Sequence, residues 1–275
     1  MTSPSDSRPL LSAELAPAHV LVLAEEVTMF RDRLSTLEFS RPDAPTEALA
    51  HAGRADGLAD TARAVRAEIG KVRLYVSPAV EDAYSRIRLL GTQATLAGEH
   101  LRLVHTYLVQ VSPQERAHRP YPRGQVLDTL LEAGHHLREA SLLTSLGASD
   151  ALRAATDLAG ALRAQKLIEG RPQAMSPTQY QALRAIATGR LSVEVSSGRE
   201  WAWMRDASFS MGTVRSLESR GWARREARHL VPGARSARLH LTEAGRIALA
   251  SWLGRVPVAS RPAALATRAS RTPVR

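Results

Sequence analysis

Apolar residues return at alternating intervals of four and three along much of the first 170 positions, the spacing that lays one stripe down an α-helix. Leu23, Val27, Phe30, Leu34 and Leu37 follow it and predict a helix from about Pro17 to Phe39. The run from Arg41 to Pro45 ends it, because a residue before proline is pushed out of the helical region. Leu58, Ala62, Val65, Ile69, Val72 and Val76 repeat the pattern, with Gly53 and Gly57 weakening its start. Ser77-Pro78 then opens a third helix toward Gln110, with Val80, Tyr84, Ile87, Leu101 and Leu108 facing inward. A proline-studded connection through Arg119 to Gly124 leads to a fourth helix carrying Leu127, Leu130, Leu131, Leu137 and Leu142 on its buried side. A fifth, capped by Ser149 or Asp150, carries Leu152, Leu158, Leu162 and Leu167. This spacing suits either a monomeric antiparallel bundle or helices that also pair with a second copy.

Beyond Glu169-Gly170-Arg171-Pro172, which reads as a linker, the pattern changes. Ser176-Pro177-Thr178-Gln179 is a capping box ahead of a helix carrying Tyr180, Leu183 and Ile186. Leu191, Val193 and Val195 alternate, a Ser-Gly pair follows, and Trp201 and Trp203 alternate in turn, which predicts a β-hairpin. SMGTVRSLESRGW, from Ser210 to Trp222, predicts a short helix capped by Ser210 or Ser208 and stopped at Gly221. Val214 and Leu217 share its apolar side, leaving Gly212, Arg215, Ser216 and Ser219 on the polar one. Two strands around Pro232-Gly233 carry Arg224, Arg225, Arg228, Arg235 and Arg238, and LTEAGRIALASWL closes with a helix capped by Thr242.

Charge sharpens that division. The formal net charge is +10, yet residues 1–170 hold 19 basic and 21 acidic side chains, and residues 171–275 hold 18 basic and 6 acidic. A basic excess confined to one region is the footprint of a polyanionic partner. The absence of cysteine excludes disulfides, thiolate metal sites and cysteine nucleophiles. The apolar run from His19 to Ala24 is too short for a signal peptide or a membrane span, so a cytoplasmic protein is expected.

The combination TVRSLESRGWARRE…RLHLTEAGRIAL, within Ser176 to Gly254, resembles the recognition helix, wing and closing helix of a winged helix-turn-helix DNA-binding domain. The expected fold is therefore mainly α: residues 1–9 disordered, a helical bundle over 10–170, a winged-helix domain over 171–254, and a disordered basic tail over 255–275. In that domain a β-hairpin replaces the usual second helix. The resemblance implies a bacterial transcriptional regulator or an accessory factor of a mobile element, binding double-stranded DNA, with the bundle available for homodimerisation, partner docking or ligand sensing. It places Thr213, Arg215, Ser216, Ser219 and Arg220 in or beside the major groove. Arg224, Arg225, Arg228 and Arg238 on the wing would meet phosphates, and Arg235 near its turn would enter a minor groove.

Other chemistry finds little footing. His135-His136 follow Glu132, making one Glu-x-x-His on a predicted helix, but a di-iron bundle needs two such motifs on facing helices, and Glu115 with His118 falls in the proline-rich connection. Phosphate-loop, Gly-x-Ser-x-Gly and His-Glu-x-x-His patterns are absent, so neither enzyme activity, metal nor cofactor is expected. All four tryptophans lie beyond residue 200, where core packing is the expected use and an exposed stacking surface the alternative. The rival to DNA binding is an interaction scaffold, in which the bundle and the winged fold both contact proteins. Membrane-surface binding by the tail is a third reading, disfavoured because the tail lacks bulky apolar anchors.

Overall fold

The computed structural model describes residues 13–113, 124–196, 199–204, 207–231 and 234–255. Residues 1–9, the Glu115/His118 pair, the Pro232-Gly233 turn and the tail beyond Arg255 lie outside the described residues. The chain is mainly helical, with a small antiparallel sheet in its carboxy-terminal part. Its amino-terminal part contains α1 (Ala16–Leu34), α2 (Ala44–Gly70), α3 (Pro78–Val109), α4 (Gln125–Leu143) and α5 (Gly147–Ala164). Ser77 caps α3 as its sequence predicts, its hydroxyl accepting from the Val80 amide at 3.4 Å with Pro78 in the first turn.

Three details of the bundle depart from the sequence pattern. Helix α2 begins at Ala44, passes through both glycines and stops at Gly70, so Val76 stands exposed beyond it. Burial of Ala48, Ala52 and Ala55 compensates for the weak glycine propensity there. Helix α5 begins at Gly147 instead of after Ser149, and Leu146 at its cap position offers no side-chain acceptor. A Cβ at Gly147 would stand 3.0 Å from both Leu90 Cδ2 and Val27 Cγ1, so tight packing sets this start. Helix α4 buries only Ala133 and Ala140. Leu127, Leu131 and Leu142, expected in the core, are exposed, because α4 packs chiefly on α3 and meets it through its alanine side.

The carboxy-terminal part runs α6 (Pro177–Ala187), β1 (Ser192–Ser196), β2 (Arg199–Met204), β3 (Ala207–Phe209), α7 (Met211–Ser219), β4 (Ala223–Val231), β5 (Ala234–Leu241) and α8 (Glu243–Trp252). Both halves of the capping box form at α6: the Gln179 amide donates to Ser176 Oγ at 3.2 Å and the Ser176 amide to Gln179 Oε1 at 2.8 Å. The strands order β3-β2-β1-β5-β4. The predicted hairpin is β1 with β2, in a register that sets Val193 opposite Ala202 and Glu194 opposite Trp201; β3 is a further strand that the alternation did not announce.

Side chains alternate across the sheet, so Val193, Ala202 and Leu239 share one face. They join Val214 and Leu217 of α7 and Leu249 of α8 in an apolar cluster that continues through Leu183 of α6 into Leu158, Ile87 and Leu23 of the bundle. Trp201 and Trp203 project from the other face, 42% and 50% exposed, and do not enter the core. Trp222 is buried, and Trp252 is half-buried with its Nε1 donating to the Gln173 carbonyl at 2.7 Å. A sheet with one helix-covered face leaves only that face for burying aromatics, and β2 turns its tryptophans away from it.

Polar ties reinforce this continuity. Arg163 of α5 donates to the Leu253 and Ser251 carbonyls at 3.1 and 2.8 Å, placing a cation at the carboxy-terminal end of α8. The segment expected as a linker and the residue after it are tied to the same end: Arg255 donates to the Gly170 carbonyl (2.7 Å), and the Gln173 amide donates to Ser251 Oγ (3.1 Å). Among the described residues, no helix is long and apolar enough to cross a membrane.

One buried histidine makes a testable difference to stability. His51 of α2 is 1% exposed, and burial, with Arg54 and Arg33 nearby, lowers its pKa to about 4. In the unfolded chain it would titrate near 6.5. Between these values the unfolded state binds the extra proton, so the native state loses stability as pH falls from about 6.5 to about 4. Urea denaturation across that interval should show the loss, and His51→Gln should flatten it.

Candidate nucleic-acid interface

Helix α7 is short, and its position is fixed from both sides. Ser210 caps it, accepting from the Thr213 amide at 3.2 Å, and the Ser210 and Thr213 hydroxyls lie 3.0 Å apart. Val214 and Leu217 are fully buried. Gly221 follows at φ +66°, a left-handed conformation that suits glycine and lets the chain turn into β4. Ser216 Oγ accepts from Gln179 Nε2 at 2.8 Å, so the side chain that completes the α6 capping box also anchors α7.

With the apolar side held, the opposite side faces outward. Gly212, Arg215 and Ser219 are exposed, while Thr213 and Ser216 are half-buried. The Arg215 side chain is 69% exposed and stands 3.6 Å from Glu200 Oε2. Ser219 Oγ donates to the Ser216 carbonyl at 3.1 Å. Arg220 stacks over the Trp222 ring, 4.7 Å from its centroid, with Nη1 donating to the Ala174 carbonyl at 2.5 Å. Gly212, Arg215 and Ser219 thus share the outward side of α7, while Thr213 and Ser216 are bonded to Ser210 and Gln179 and Arg220 is held against Trp222 and Ala174 at the helix end.

The strand arginines divide differently. Arg225 donates from Nε and Nη2 to the two Glu218 oxygens (2.5 and 3.1 Å) and from Nη1 to Glu200 (2.6 Å). These bonds raise its pKa further and lower that of Glu200. Arg238, 12% exposed, reaches away from α7: Nε and Nη2 each bond the Asp32 carboxylate of α1 at 2.9 Å, and Nη1 bonds the Gly189 carbonyl. Arg224 lies 3.3 Å from Glu25 of α1 and 3.4 Å from Glu226. Arg225 and Arg238, expected at phosphates, therefore use their donors inside the molecule. Arg228 and Arg235 are opposite Ser236 and Val195 in the strand register; their side chains lie outside the described ones.

The acidic partners had no signal in the sequence. Glu25, Asp32, Glu200 and Glu218 looked like scattered surface charges, and only folding brings them to these arginines. His240, 4% exposed, has its pKa lowered by burial and stands 3.6 Å from Glu226 Oε2. The His100–His136 pair of α3 and α4, Nδ1 to Nδ1 at 2.9 Å, gains no third ligand; among the described residues no cluster of three metal-binding side chains forms.

The chain matches no protein-family model, no curated protein and no solved structure.

Proposed function

We propose that this protein binds duplex DNA through the outward side of α7, with the β4–β5 hairpin beside it as a wing, in the manner of a bacterial transcriptional regulator or mobile-element accessory factor. The carrying observation is the exposed ridge of Gly212, Arg215 and Ser219 on a helix whose other side is locked into the core. The element order supports the reading: a capped helix, a first strand pairing with the last, a short helix, two basic strands and a closing helix follow winged-helix connectivity. In this reading β2 and β3 take the place of the second helix, one strand later than the β1–β2 hairpin that the alternation predicts. The proposed division is a bundle over 10–170 and a DNA-binding module over 171–254.

The pairing of Arg215 with Glu200 does not oppose this role. An exposed ion pair contributes about 0–1 kcal/mol, so a phosphate or guanine edge can displace the carboxylate at small cost. Arg225 then becomes a positioning residue that holds Glu200 and Glu218 close to the sheet. Fluorescence anisotropy of the full chain on a labelled duplex, read across a salt series, tests the proposal. Affinity should fall steeply as salt rises, and Arg215→Ala with Arg220→Ala should weaken binding roughly tenfold or more. Affinity unchanged by the double substitution would remove α7 from the interface.

A protein-interaction scaffold remains the second reading, because Leu131 and Leu142 of α4 are 61% and 57% exposed and suit a protein surface. It predicts no salt-dependent duplex binding, and association lost on Leu131→Ser with Leu142→Ser.

A further inference from the structure

A cleft of about 680 Å³ opens where α1, α4 and the start of α5 meet the turn between α6 and β1. Its size is that of a small-molecule site. The walls are mixed: Leu34, Leu37, Leu137 and Leu146 give apolar surface, and Arg31, Arg138 and Arg190 line it as well. These arginines come from α1, α4 and the α6–β1 turn, far apart in the sequence.

The charge of this cleft is unbalanced. Its lining contains one carboxylate, Asp32, and that group is engaged twice by Arg238, itself on the wall. Among the described residues, Arg31, Arg138 and Arg190 pair with no carboxylate, and the one side-chain bond among them runs from Arg31 Nη1 to the Ser145 carbonyl at 3.1 Å. Arginines that line one cleft and pair with no carboxylate attract a planar anion, which a guanidinium can bind in a two-pronged fashion. Gly189, at φ +64°, fixes the turn that carries Arg190, since a Cβ there would collide with Thr28 Cγ2 of α1.

We infer that this cleft is a binding site for a small organic anion, a carboxylate or phosphate ester with a short apolar body. The charged group sits among Arg31, Arg138 and Arg190, and the body lies along the leucines. A molecule held this way ties the bundle to the carboxy-terminal part, because Arg190 belongs to one and Arg31 and Arg138 to the other. The site is separate from α7, so it stands whether or not the protein binds DNA.

Isothermal titration of the full chain with hexanoate, hexyl phosphate, hexanol and inorganic phosphate tests it. At least one of the two amphiphilic anions should bind saturably at one site per chain with a Kd below 1 mM, on the order expected of a small ligand with few contacts. The arm that binds more tightly distinguishes a carboxylate ligand from a phosphate ester. Hexanol should show no binding, and inorganic phosphate should bind at least fivefold more weakly. Arg138→Gln and Arg190→Gln should each weaken the anion about fivefold or more, with far-UV spectrum and Tm of the free protein unchanged because both residues are exposed and pair with no carboxylate among the described residues. No saturable binding by either anion, equal binding of hexanol, or affinity untouched by the double substitution would each overturn the assignment.

Discussion

Arg238→Ala is expected to lower the unfolding free energy by about 3 kcal/mol, because it takes a two-pronged guanidinium partner away from a mostly buried carboxylate. Asp32 is 17% exposed and accepts two bonds at 2.9 Å from this guanidinium. Truncation also leaves the Gly189 carbonyl and Ser192 Oγ without their donor. Removing both charges together, Arg238→Met with Asp32→Leu, should cost much less than the single change, since an apolar pair of similar size often replaces a buried ion pair at little penalty. Urea denaturation of the unsubstituted protein, Arg238→Met, Asp32→Leu and the double variant measures the coupling. Additive losses would mean that the pair contributes nothing beyond its separate side chains.

Gly245→Ala should cost about 3 kcal/mol or more, despite lying in a helix where alanine is intrinsically preferred. A Cβ at this position would overlap the Trp222 carbonyl oxygen and stand 2.8 Å from its carbon, and a backbone group cannot swing aside as a side chain tip does. Helix α8 crosses the start of β4 at that point, so the clash would lift it from the core that Leu249 and Ala248 help to fill. Gly53→Ala in α2 is the matched control, with open space around its Cβ position, and should stabilise by roughly 0.5–1 kcal/mol. Two glycine-to-alanine changes in helices thus carry opposite signs, and thermal melts of both variants read them directly. Equal gains would show that α8 does not approach Trp222 so closely.

The outward side of α7 and the anion cleft differ in how they arise. The first is local: Ser210, Val214, Leu217 and Gly221 set the start, buried side and end of one helix, and Arg215 is exposed because its neighbours on that helix are not. The cleft gathers Arg31, Arg138 and Arg190 from three places, and no periodicity or motif joins them. Arg225 and Arg238 show the same limit from the other direction. As letters in a basic segment they match Arg224, yet each finds different acids: Glu218 and Glu200 for Arg225, Asp32 for Arg238, Glu25 and Glu226 for Arg224.

Local order was legible in the sequence because it depends on neighbours within a few positions. The serine–proline starts at Ser77 and Ser176, the glycine stop at Gly221, the helical stripes, and the β1–β2 alternation all follow from dihedral preference and side-chain period. The tertiary structure decided which of two apolar sides a helix buries, as at Leu131 and Leu142 of α4, and which sheet face is covered, as at Trp201 and Trp203. It alone decided which charges are neutralised. Those outcomes depend on partners that only the fold brings together, such as Asp32, 206 positions from Arg238, and chain entropy, packing and desolvation choose among such pairings only when the whole core closes.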